Sequence, residues 1–248
     1  MAANRLIAGN WKMNCLRADG VRLASELRER ALETGRLPCD VAVCPPATLL
    51  HEIAVLLSES DIALGAQDCG EGEFGAQTGD ISAVMLKDAG CQYVIVGHSE
   101  RRHGLGETDA RVRRKAQSVH DAGLVAIVCV GETEAERDQK LTFDVLARQV
   151  EASLPENAGG ANTVIAYEPV WAIGSGRTPS SEDIAAAHRQ IRAVAARQGG
   201  GDIRILYGGS VKPDNAAEIL AIPEVEGALV GGASLKAGEF WNIVESCP

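Results

Sequence analysis

Five short segments of this 248-residue chain put reactive or anion-binding groups directly after apolar runs: Asn10 with Lys12, His98-Ser99-Glu100, Glu168 before Pro169, Gly208-Gly209-Ser210, and Gly231-Gly232. They supply a carboxylate, an imidazole, a cation and two glycine pairs. Pro169 restrains Glu168 toward extended backbone geometry, and a carboxylate held in this way can take a proton from a carbon next to a carbonyl. The resulting enediolate carries charge on oxygen, which fixed donors such as His98 and Lys12 can stabilise. Glycine turns leave backbone N–H groups unobstructed and, with a helix start behind them, suit a phosphate dianion. Nothing in this set calls for a metal or a redox cofactor, so neither is expected.

Each group alone has an ordinary explanation: a solvated lysine, a structural loop histidine, a strand terminus, a turn. Their joint weight depends on whether the fold gathers them. Eight nearly continuous apolar runs (5–9, 41–44, 62–66, 93–96, 125–130, 164–167, 203–207 and 227–230) read as parallel strands buried on both faces. Helical stretches lie between them. Thr133 with Glu136 forms a capping box, and Ser180 with Asp183 fits the same pattern. Ile184, His188, Ile191 and Ala195 share one helix face, where His188 is expected to pack rather than to bind a ligand. Pro213 suits a first helical turn. The cluster 111–115 reads as a solvated helix face. Eight units in 248 residues leave about 31 residues each, the length of a βαβ step.

No linker divides the chain, so a single domain over 1–248 is expected. The alternation allows a closed barrel or an open doubly wound sheet. The first strand runs into Gly9-Asn10-Trp11-Lys12, which is no dinucleotide-binding fingerprint, and the equal units favour an α/β fold, a (β/α)8 barrel of parallel strands. In such a barrel the chemistry sits just past the C-terminal strand ends, and all five segments fall there. Residues 169–176 follow Glu168 with an apolar centre and glycines at the far end. They read as a lid that excludes water, with Trp171 and Ile173 turned inward on closure.

Composition narrows the partners. The chain is 46% hydrophobic and 23% charged, with a net charge of −10. This fits a folded globular protein and argues against nucleic acid or an anionic membrane surface as partner. No run reaches the length of a membrane span. Seven cysteines without C-x-x-C spacing read as unpaired thiols in a reducing compartment, and a cytoplasmic protein is expected.

Gly9-Asn10-Trp11-Lys12-Met13-Asn14, Val94-Ile95-Val96-Gly97-His98-Ser99-Glu100-Arg101-Arg102, Tyr167-Glu168-Pro169-Val170-Trp171-Ala172-Ile173-Gly174, Tyr207-Gly208-Gly209-Ser210 and Gly231-Gly232-Ala233-Ser234-Leu235 together resemble the triosephosphate isomerase family, in the family's order and across nearly the whole chain. The resemblance implies a TIM barrel that interconverts dihydroxyacetone phosphate and glyceraldehyde 3-phosphate. It implies Glu168 as base, His98 as a neutral imidazole donor, and Lys12 with Asn10 holding phosphate and enediolate charge; the first two are roles for which this family is itself the standard example. Gly174, Ser210, Gly231 and Gly232 would cradle the phosphate. Tyr207 and Ser210 would bond the closed lid, with Trp171, Ile173 and Glu100 in support. The long loop 65–80 would reach into a second subunit, with Thr78 at its tip and Cys15 near the interface, so a homodimer is implied. Ser175 and Arg177 replace the family's common Thr and Lys, and one extra residue near Gly238 leaves the start of the last helix open. A different phosphate-binding barrel enzyme, or a catalytically dead barrel acting as a scaffold, remains as an alternative.

Overall fold

The computed structural model describes residues 4–173 and 177–248. Its strands are β1 (Leu6–Asn10), β2 (Asp40–Cys44), β3 (Ile62–Ala66), β4 (Tyr93–Val96), β5 (Val125–Val130), β6 (Thr163–Tyr167), β7 (Arg204–Tyr207) and β8 (Gly227–Val230). All pair in parallel and in chain order, and β8 closes on β1 through Leu6 opposite Gly227. The helices are α1 (Arg17–Thr34), α2 (Leu50–Leu57), α3 (Ala83–Asp88), α4 (Ser99–Gly104), α5 (Asp109–Asp121), α6 (Glu134–Asp138), α7 (Thr142–Ser153), α8 (Ser181–Arg197), α9 (Pro213–Leu220) and α10 (Ala237–Glu245).

The continuous apolar runs have two destinations because successive side chains on a strand point to opposite faces. Leu6, Ala8, Ala42, Cys44, Ile95, Ile127, Cys129, Val164, Ala166, Leu206 and Leu229 fill the barrel interior. Their neighbours Ile7, Val41, Val43, Val94, Val96, Val128, Ile165 and Val230 pack outward against the helices. A barrel has no free sheet edge, so each strand is covered on both faces and paired on both sides.

Thr133 and Ser180 form the expected capping boxes, with Glu136 and Asp183 reaching back to the cap N–H groups at 2.8 and 3.3 Å. Pro213 opens α9. His188 is fully buried on α8; its Nδ1 lies 2.9 Å from the Glu224 carbonyl and its ring edge meets Tyr167.

The solvated face expected over 111–115 is corrected at Lys115, which is only 1% exposed. Val112, Lys115, Ala116 and Val119 recur at three- and four-residue steps and form the inward stripe of α5. The Lys115 ammonium is held there 2.7 Å from both Asp68 carboxylate oxygens and 2.6 Å from Glu107 Oε1. Arg101 closes the network with bonds to the same two acids. Arg111 and Arg114 pair with Glu71 nearer the surface. The last helix, whose start the sequence left open, begins at Ala237 after a 3-10 turn over Gly232–Leu235.

Candidate active site

Past the C-terminal strand ends lies a cavity of about 740 Å³, lined among others by Asn10, Lys12, His98, Glu168, Ile173, Ser210, Gly231 and Gly232. Strands β1, β4, β6, β7 and β8 thus deliver to one place residues up to 222 positions apart in sequence. Asn10 ends β1, and its Oδ1 accepts from the Lys12 N–H at 2.9 Å. Lys12 has a left-handed backbone, with φ of 51°, a conformation that costs a non-glycine residue energy and persists only where the surroundings hold it. The Gln67 amide supplies the hold by donating to the carbonyls of Lys12 and Cys44 at 2.8 and 2.9 Å. The Lys12 ammonium sits 2.6 Å from Glu100 Oε1.

His98 caps α4, and its Nδ1 accepts from the Glu100 N–H at 3.2 Å. A ring nitrogen that accepts carries no proton, so the neutral ring bears its proton on Nε2. Nε2 lies 2.9 Å from Glu168 Oε1. Glu168 is 2% exposed and also accepts from the Ser99 N–H at 2.8 Å and the Ser99 hydroxyl at 3.3 Å. Burial pushes its carboxyl pKa up, but His98, the Ser99 N–H and the Lys12 charge together outweigh burial and hold it below the usual carboxylate range. The group is therefore a ready carboxylate whose basicity is restrained by its own partners.

The family model described as Triosephosphate isomerase matches residues 5–247. The chain belongs to the triosephosphate isomerase family. A triosephosphate isomerase of Rhodopseudomonas palustris is 54% identical over 252 residues, covering all of this chain and 99% of the relative. That of Afipia carboxidovorans is 55% identical, covering 98% of this chain and 97% of the relative. The crystal structure of triosephosphate isomerase from Bartonella henselae superposes with a TM-score of 0.89 at 48% identity, covering 98% of each chain. The enzyme's reaction is the interconversion of dihydroxyacetone phosphate and D-glyceraldehyde 3-phosphate, an isomerisation of glycolysis.

The other expected site residues fall as follows. Ile173 lines the cavity. Trp171 lies in the 3-10 turn Val170–Ala172, with the guanidinium of Arg137 4.1 Å from its ring centre and that of Arg177 5.6 Å from it. Arg177 also bonds Glu134 and the Trp171 carbonyl. Tyr207 is fully buried, and its hydroxyl has no partner among the described residues. Gly209 packs so closely on that hydroxyl that a Cβ would overlap it. Thr78 is exposed and away from the cavity. Gly174 and Ser175 lie outside the described residues.

Sequence reasoning missed Glu132 and Gln67. Glu132 is fully buried; its Oε1 accepts from Trp171 Nε1 at 2.8 Å and from the Tyr167 hydroxyl at 3.2 Å, fixing the start of the segment after Glu168. Burial raises its pKa against those two bonds. Both residues stand just beyond a strand end, after β5 and β3, so the rule that singled out His98 and Glu168 would have found them. Among the described residues no group of three His, Cys, Asp or Glu side chains is placed to hold a metal ion, and no helix is long and apolar enough to cross a membrane.

Proposed function

We propose that Glu168, His98 and Lys12 carry the isomerisation in named roles. Glu168 takes a proton from the carbon beside the substrate carbonyl and returns it to the adjacent carbon. His98 donates from Nε2 to the carbonyl oxygen as a neutral imidazole, and Lys12 balances the enediolate and phosphate charge. Asn10 sets the Lys12 turn, while Ser210, Gly231, Gly232 and, from sequence, Gly174 hold the phosphate. When the substrate carbonyl takes over the His98 N–H, and the carboxylate leaves Ser99 to face the carbon, the bonds that restrain Glu168 are lost. Burial is then opposed only by the Lys12 charge, which the substrate's own anionic groups also draw on, and Glu168 becomes a stronger base. Trp171 and Ile173 close over the site, with the Tyr207 hydroxyl as the lid's anchor.

The observation that carries this reading is the 2.9 Å approach of His98 Nε2 to Glu168 Oε1 in the same cavity as Lys12 and both glycine turns. Turnover of glyceraldehyde 3-phosphate in deuterated water tests it: deuterium on product carbon is expected. Since a shielded base can return the same proton, turnover without exchange does not decide the matter alone; turnover of Glu168→Gln at the parent rate overturns the base role, and an intact protein without turnover leaves only a scaffold.

We further propose one domain over 1–248, acting in the cytoplasm as a homodimer. The exposed apolar side chains Met13, Leu16, Val55, Phe74, Ile81 and Met85 support the dimer, as does a groove beside Cys15 and Leu16 that could take the loop bearing Phe74 and Thr78 of a second copy. Sedimentation of Phe74→Asp should give monomers; an unchanged dimer would remove this loop from the interface.

A further inference from the structure

We propose that Cys39 and Cys247 form a redox-reversible disulfide that fastens α10 to the N-terminal mouth of the barrel. Their 208-residue separation hides the pair from any spacing rule. Cys39 stands just before β2, Cys247 two residues after α10, and both are buried. Their side chains lie close enough for each to shift the other's proton affinity. Both residues also converge on one carbonyl: that of Val244 accepts from the Cys247 N–H at 3.1 Å and lies 3.9 Å from Cys39 Sγ.

The surroundings make one of the two thiols nucleophilic. Arg5 precedes β1 at the same mouth; one of its terminal nitrogens reaches the Leu220 carbonyl at 3.3 Å, while its buried Nε has no partner among the described residues. The neighbouring Cys39 thiol and the Arg5 charge outweigh burial and lower the Cys247 pKa, whereas Cys39 is raised and keeps its proton. The remaining five thiols move the other way. Burial takes Cys69 and Cys91 to about 12, with Cys44 and Cys129 also raised, and it raises the half-buried Cys15. Thiolate character and a partner within reach therefore coincide at Cys247 alone.

The oxidant is a low-molecular-weight disulfide such as glutathione disulfide. The Cys247 thiolate attacks one of its sulfurs, forming a mixed disulfide and releasing one thiolate, which takes up a proton. Cys39 then loses its proton and attacks the Cys247 sulfur, releasing the second thiol. The protein gives up two protons and two electrons, and the oxidant becomes two thiols. The new bond closes a loop of almost the whole chain, which constrains the unfolded state strongly. It lies at the mouth opposite the catalytic groups, so activity is expected to stay unchanged.

The intact enzyme, equilibrated with excess glutathione disulfide and then denatured, tests this. Its thiol titre should fall from seven to five, its mass should drop by two hydrogens, and peptide mapping should join Cys39 to Cys247. The melting temperature should rise by roughly 5 °C or more, reversibly with dithiothreitol. Cys247→Ser should keep its activity and show no oxidant-dependent rise. Seven thiols left free, a bond mapped to another pair, or a glutathione adduct that persists at Cys247 would each overturn the proposal.

Discussion

Replacing Glu168 by Gln preserves shape and removes the base, and the structure gives two separate magnitudes for it. The carboxylate now satisfies the Ser99 N–H at 2.8 Å and the His98 Nε2–H at 2.9 Å with different oxygens. Glutamine has one acceptor oxygen, so its amide must point N–H at one of these donors. His98 cannot relieve the conflict by moving its proton, because Nδ1 already accepts from the Glu100 N–H. One buried donor is left unpaired, a cost of about 1–3 kcal/mol, or a melting temperature lower by roughly 2–12 °C for a chain of this size. The rate effect is independent of that loss. Removing a general base costs at least about 10²–10⁴-fold in kcat, equivalent to about 3–5 kcal/mol. Competitive inhibition by inorganic phosphate should be unchanged, since Ser210, Gly231 and Gly232 are untouched. The assay couples dihydroxyacetone phosphate formation to NADH oxidation, with phosphate inhibition and melting measured in parallel. A kcat within about tenfold of the parent, or a parallel loss of phosphate affinity, refutes the assignment.

Three other perturbations follow from the same geometry. Burial lowers the His188 pKa from 6.5 to about 4, so the unfolded chain binds this proton first; the contribution is whole above pH 6.5 and is lost as pH falls toward 4. Urea unfolding of the parent should weaken over that window by up to about 3 kcal/mol more than that of His188→Asn, and equal slopes would contradict this. Lys115→Met strips the cation from Asp68 and Glu107 and should cost about 3–5 kcal/mol in urea; a neutral result would show that Arg101 alone satisfies both acids. Tyr207→Phe removes a buried hydroxyl that has no partner among the described residues and should stabilise the free enzyme by about 1–3 kcal/mol. It should also lower kcat/KM tenfold or more and release methylglyoxal from escaping enediolate phosphate, and unaltered kinetics would remove Tyr207 from lid closure.

The strand pattern was legible because in a closed parallel barrel the face of every strand that does not meet the interior meets a helix. Such strands read as uninterrupted apolar runs, and β3, β4, β5 and β8 begin and end where those runs do. Caps were legible at Thr133, Ser180 and Pro213 because they act within one turn of chain. Lys115 was misread because a charged cluster was weighed by composition and not by its place on the Val112–Val119 stripe. Glu132 and Gln67 were passed over although both follow a strand end, because the role of a lone acid or amide there shows only in the partners the fold brings to it.

The sequence by itself determined the eight-fold alternation, the chemistry available at the strand ends and, through five ordered segments, the family. Those properties are local, written in neighbouring residues and in the periodicity of burial. Tertiary structure alone decided that the His98 proton sits on Nε2, that Ser99 and His98 restrain Glu168, that Gln67 holds the strained Lys12 turn, and that Cys39 meets Cys247. Each of these depends on closing contacts between segments tens to hundreds of residues apart. Hydrogen-bond direction and charge coupling vary over fractions of an ångström, a scale that residue order does not specify.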